Sequence, residues 1–152
     1  MVVKTYTQAE LVAQPIGYWT GAAYRAVVGR IRADLAAEQL AQPHWWILNH
    51  VAGAPGTWDR AGLTGKLAPF DDQDTDFAAV FDNLEDRGWL VAAPDGTLTL
   101  SEAGEQGRLR ARTRGRHAHE QMHEGVTPDE YAATLTVLRR VIDNLGGDSD
   151  LP

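Results

Sequence analysis

Three groups of side chains in this sequence have types and spacings that could do chemistry. The first is the run His117-Ala-His119-Glu120-Gln-Met-His123. On a helix, residues four apart stand one above the other, so His119 and His123 could share a zinc ion with Glu120 as a general base. Glu124 follows directly, where metalloproteases usually carry an uncharged residue, and neither a third ligand nor a substrate-aligning strand is evident. The run reads better as a partly exposed helix face, and no metal or other cofactor is expected. The second group is aromatic: Tyr18, Trp19, Tyr24, Trp45 and Trp46, with His44, Asn49 and His50 interspersed. Such a wall with a few polar handles suits a planar aromatic ligand, and the same residues suit a core or a dimer contact better still. The third group is cationic. Arg60, Lys66 and Arg87 could position a protein on phosphates, yet they are the only cations between residues 43 and 100, where nine carboxylates give a net charge of −6.

That imbalance dominates the whole chain, which has 152 residues, 14 Lys+Arg and 21 Asp+Glu, for a net charge of −7. The flanking segments are close to neutral. Residues 1–42 and 101–127 each carry +1, and residues 128–152 carry −3. The length predicts a single domain, 1–152, able to bury a core. With 43% hydrophobic and 23% charged residues the composition is that of a globular protein. Cysteine is absent, which excludes disulfides, thiolate metal sites and cysteine nucleophiles. No apolar run approaches the roughly 18 residues of a membrane span. The first residues do not read as a secretion signal. A cytoplasmic protein without a membrane partner is expected. The acidic balance argues against coating nucleic acid by bulk charge.

The elements that must position these groups are mostly helical. Pro15 opens a long helical pattern through Leu35, and Pro43 opens a second one through Ala52, stopped by Gly53-Ala-Pro-Gly56. Trp58 to Leu67 reads as a short helix with Ala61, Leu63 and Leu67 inward. After the acidic turn 71–74, Asp74 or Thr75 could cap a further helix. There Phe77, Val80, Phe81 and Leu84 fall on one face, and Gly88 ends it. Trp89–Ala92 and Thr97–Leu100, separated by Pro94-Asp95-Gly96, predict a hairpin. A long helix from Ser101 carries Arg108, Arg110, Arg112, Arg114 and Arg116. Thr127-Pro128-Asp-Glu130 starts the last helix, with Leu135, Leu138, Val141, Ile142 and Leu145 as its stripe. Gly146-Gly147 ends it, and Asp148–Pro152 reads as a frayed tail. The fold class is mainly α with a small β-hairpin.

A short helix, a turn, an amphipathic helix and an immediate hairpin make a winged helix-turn-helix. The stretch Asn83-Leu84-Glu85-Asp86-Arg87-Gly88-Trp89-Leu90-Val91, followed by Leu98-Thr99-Leu100-Ser101-Glu102-Ala103-Gly104, resembles the multiple-antibiotic-resistance regulator (MarR) family. In that family the recognition helix ends in an L-E-x-R-G-hydrophobic run, and the second wing strand leads into an L-T-E-A-G helix start. Gly62-Leu63-Thr64-Gly65-Lys66-Leu67 is similar to the family's E-L-A-x-x-L helix. The resemblance spans about residues 15–146. It implies a winged helix-turn-helix at 43–100 and dimerisation helices at 15–40 and 101–146. It also implies a homodimeric transcriptional regulator, not an enzyme, that binds duplex DNA and answers to a small-molecule effector. Residue by residue, it assigns DNA contact to Arg60, Lys66, Thr75, Asp76, Ala79, Asn83 and Arg87. The ligand pocket falls to Trp19, His44, Trp45, Trp46 and Asn49.

The chain departs from the family pattern where it would meet DNA. The outward positions counted back from Leu84 are Asp74, Thr75, Asp76, Ala78, Ala79, Asp82 and Asn83, and Ala79 stands where arginine is common. The wing tip lacks the family's D-x-R element. Carboxylates near phosphates repel and offer nothing to counterion release. Two functional readings follow. One is a DNA-binding, ligand-tuned regulator; the alternative is a dimer that binds a small ligand or a protein partner and has lost DNA.

Overall fold

A computed structural model of the chain describes residues 3–150. Its backbone divides into two units, Met1–Gly115 and Arg116–Pro152. The first holds helices α1 (Gln8–Val12), α2 (Ile16–Ala36), α3 (Gln42–Gly53), α4 (Arg60–Leu67) and α5 (Phe77–Asp86), then strands β1 (Leu90–Ala92) and β2 (Leu98–Leu100). Helix α6 (Glu102–Met122) runs across the boundary, and α7 (Pro128–Asn144) lies in the second unit.

The core of the first unit is set by three short helices and the hairpin. Ile47, Leu48 and Val51 on α3, Leu63 and Leu67 on α4, and Phe77, Val80, Phe81 and Leu84 on α5 are all buried, together with Leu90 and Leu98. Each such side chain contributes roughly 1.5–3 kcal/mol on leaving water. Leu35 brings the end of α2 into this core, Leu40 the corner that follows it, and Ala111 brings α6. Ala61, expected inward, is exposed. It precedes Leu63 by two residues, about 200° around a helix, so a face defined by Leu63 and Leu67 turns Ala61 to solvent.

Strands β1 and β2 pair antiparallel with Leu90 opposite Leu100. Their loop is a three-residue turn. Ala93 N–H donates to Thr97 O, Gly96 N–H to Ala93 O, and Gly96 takes the left-handed conformation at φ 86°. The far edge of β2 is also covered, because Gly56 N–H donates to Leu98 O and Leu98 N–H to Trp58 O.

Two caps lie where the sequence did not lead. Helix α1, ahead of the pattern that Pro15 opens, is started by a Thr7/Glu10 capping box of the T-x-x-E type. The α5 cap is Asp76, whose carboxylate accepts the Ala79 N–H at 3.1 Å, and not Asp74 or Thr75. The cap moves because Asp71 captures Thr75 first, accepting both its N–H (2.6 Å) and its hydroxyl (2.7 Å).

The α2–α3 corner carries strain. Gln39 has φ 57°, the left-handed position that closes a helix, and Leu40 N–H returns to Leu35 O behind it. A side chain there is held against its preference. Gln39→Gly is therefore expected to stabilise the protein by about 0.5–1 kcal/mol. Denaturant unfolding reads the gain, and a loss of stability would refute the strain.

In the second unit the last helix starts as the sequence predicts. Thr127 accepts the Glu130 N–H while Glu130 accepts the Thr127 N–H, with Pro128 at the first position. None of the α7 residues is buried, and Tyr131, Leu135, Val137 and Ile142 lie exposed. The tail expected to fray is partly anchored. Arg139 donates to Ser149 O and to the Asp150 carboxylate, both near 2.8 Å. Leu151 and Pro152 lie outside the described residues.

Candidate nucleic-acid interface

Helix α5 divides its surface cleanly. Phe77, Val80, Phe81 and Leu84 face the core, while Ala78, Ala79, Asp82, Asn83 and Asp86 are exposed. The outward edge is the one a recognition helix would lay in a groove, and it carries two carboxylates, an amide and two methyls. Ahead of it lies the turn 71–76. The Thr75 hydroxyl and N–H hold the Asp71 carboxyl below its ordinary range. The Tyr24 hydroxyl, with Arg32 behind it, does the same for Asp72. Both are ionised at neutral pH, so the approach to α5 is negative. Asp72 also ties this turn to α2: Tyr24 Oη donates to it at 2.5 Å and Arg32 at 2.8 Å.

The cations the sequence offered to phosphate are differently occupied. Arg60, at the start of α4, donates to Asp82 Oδ1 (2.8 Å) and Glu85 Oε2 (2.7 Å) of α5 and lies over the Phe81 ring at 5.4 Å. Arg87 donates to Gln39 O and stacks on Trp89 at 5.4 Å. Lys66 is exposed in the last turn of α4, with no ion-pair partner among the described residues. Thr75 sits half-buried before α5 with its hydroxyl on Asp71, Asp76 caps the helix, and Ala79 stands on the outward edge. Three arginines of α6 are also engaged within the first unit. Arg108 pairs with Glu105 and reaches Asn49, and Arg110 and Arg114 share Glu38 at 3.1 and 2.7 Å.

Sequence reasoning missed one polar contact at this edge. His44, in the first turn of α3, accepts the Ala41 N–H on Nδ1 (3.0 Å) and places Nε2 3.1 Å from Asn83 Oδ1. Burial, then the nearby Arg87 guanidinium, pushes this imidazole below its ordinary range.

The expected ligand-pocket residues spread over two places. Trp45 and Trp46 are half-buried against the core. Asn49 donates to Trp45 O and accepts from Arg108. Trp19 lies on α2 at 45% exposure, donating to Gln14 and meeting the Tyr18 ring edge-on. In the second unit the His119 and His123 rings lie 4.2 Å apart, and His123 packs on Tyr131 at 4.5 Å. Among the described residues no group of three His, Asp or Glu side chains is arranged to hold a metal ion. Nor is any described helix long and apolar enough to cross a membrane.

No protein-family model matches the chain, and no curated protein matches it in sequence. Solved structures do. The PcaV transcriptional regulator from Streptomyces coelicolor superposes with a TM-score of 0.69 at 23% identity, covering 88% of this chain and 98% of that one. The transcriptional repressor CouR, bound to p-coumaroyl-CoA, gives 0.65 at 22% identity, covering 90% and 97%. A MarR family protein of Mycobacterium tuberculosis in complex with DNA gives 0.63 at 23% identity, covering 88% and 99%. The chain thus has the MarR-type winged-helix fold, mainly α with a two-stranded wing, as its sequence predicts.

Proposed function

We propose that this chain is a MarR-type regulator that binds duplex DNA as a homodimer and is tuned by a small-molecule ligand. The observation that carries the reading is α5 itself. It is packed by its apolar face into a winged helix-turn-helix while its outward edge, Ala79, Asp82 and Asn83, stays open for a groove. Lys66 and Arg60 on α4 would meet the backbone beside it, and Arg87 the phosphates at its C-terminal end. A dimer is supported in each unit separately: Ile16, Trp19, Val27 and Ile31 on α2, and Leu135 and Ile142 on α7, leave apolar surface in water that a second copy would cover. The aromatic side chains Trp19, Trp45 and Trp46 support a planar effector. Two structural neighbours, one solved on DNA and one on p-coumaroyl-CoA, agree with both activities.

One observation favours a second reading, in which the dimer has given up DNA for a ligand or a protein partner. Arg60 is neutralised by two carboxylates of the very helix that would read bases. A single measurement separates the two. Fluorescence anisotropy on a random-sequence duplex at about 50 mM salt should show binding that weakens linearly in log–log salt. Complete absence of binding there would overturn the DNA reading and leave the second.

A further inference from the structure

We propose that His44 is a positioning residue that fixes the Asn83 side-chain amide with its oxygen turned onto α3 and its nitrogen outward, so that α5 reads a hydrogen-bond acceptor on the base facing Asn83. The inference rests on the DNA-binding reading above and names part of its sequence preference.

The argument is an inventory of protons on one imidazole. The Ala41 N–H can only donate, and it points at His44 Nδ1 from 3.0 Å. Nδ1 therefore carries no hydrogen, and a neutral ring must carry it on Nε2. The ring is neutral at pH 7 because burial and Arg87 both disfavour the cation. An N–H on Nε2 facing Asn83 at 3.1 Å requires the amide oxygen, not its NH2. The backbone at the start of α3 thus dictates, through one ring, which way an exposed amide on α5 faces.

The consequence is chemical. A free asparagine reads adenine with both ends of its amide, donating to N7 and accepting from the N6 amine. With Oδ1 turned onto α3 and one of its lone pairs held by His44, Asn83 turns its N–H donors to the groove. These answer the N7 or O6 of guanine, the N7 of adenine or the O4 of thymine, and leave the N4 amine of cytosine unanswered. Two-ended pairing with adenine needs Oδ1 to face the groove as well, a turn that its bond to His44 opposes.

The test reads the ring and the preference separately. Long-range 1H–15N spectra of the free protein should show His44 with a bare Nδ1 and a protonated Nε2, and Asn83→Ala should shift the Nε2 resonance; a protonated Nδ1 overturns the proposal. Selection from a randomised duplex pool should then give the wild type about tenfold discrimination against cytosine at one position. His44→Phe should shift that position toward adenine, and Asn83→Ala should erase the preference. His44→Gln, whose amide can still donate to Asn83, should keep it, while a merely structural His44 would not be rescued in this way. Unchanged base preference in His44→Phe overturns the positioning role alone. If neither wild type nor variant enriches any duplex, the DNA reading falls and the role of Asn83 with it, whatever the histidine spectrum shows.

Discussion

Gly104→Ala is expected to lower stability by about 3 kcal/mol, seen as a fall of about 10 °C in Tm at fixed protomer concentration. A Cβ on residue 104 would run into the carbonyl carbon and oxygen of Trp89. That obstacle is backbone, and it is pinned on both sides. Ser101 N–H donates to Trp89 O, the Ser101 hydroxyl donates to Gly88 O, and Gly104 N–H donates back to that hydroxyl. Helix α6 can accommodate the methyl only by lifting off the base of the wing, which exposes Leu90 and the buried edge of the hairpin. One turn on, a Cβ at Gly107 would strike the Trp89 indole. The indole is a side chain and can rotate, though Arg87 and Arg110 stack on it, so Gly107→Ala should cost less. Gly115→Ala is the control. Nothing lies within 4 Å of its Cβ, and in a helix alanine should gain roughly 0.5–1 kcal/mol over glycine. A Gly104→Ala protein that melts with or above the Gly115→Ala protein would contradict this packing.

The same glycine shows what a sequence can disclose. Gly88 and Gly104 stand in the runs that resemble MarR proteins, and each has a reason only glycine meets: Gly88 takes the left-handed conformation that ends α5, and Gly104 lets α6 approach the Trp89 backbone. Periodicity likewise gave the buried face of α5, and the Thr127/Glu130 box gave the start of α7, since both are local patterns. The polar chemistry of the candidate interface was not local. Arg60 reads as a free cation until α4 and α5 cross and bring it to carboxylates 22 and 25 residues away. His44 reads as a ligand handle until α3 sets it against an amide 39 residues on. Charge and spacing tell which faces are polar; which polar groups consume one another depends on how the helices cross.

That consumption can be reversed, and the reversal should be large. Replacing Asp82 by Asn and Glu85 by Gln together is expected to raise affinity for random duplex about tenfold at moderate salt, and to steepen the log–log salt slope by about one. The amides keep the shape of both partners and remove two negative charges from the outward and flanking surface of α5. They also remove the two ionic partners that Arg60 has among the described residues, at 2.8 and 2.7 Å. The pair is partly exposed, so its loss should cost the fold less than about 1 kcal/mol. Adding Arg60→Ala separates the two contributions. If the liberated arginine reaches a phosphate, the triple variant loses the extra unit of slope; if only repulsion was relieved, the slope stays with the double variant. Affinity unchanged in the double variant would mean that these carboxylates do not oppose DNA. In that event the net charge of −6 between residues 43 and 100 would have to act through the turn 71–76, where Asp71, Asp72, Asp74 and Asp76 precede the helix.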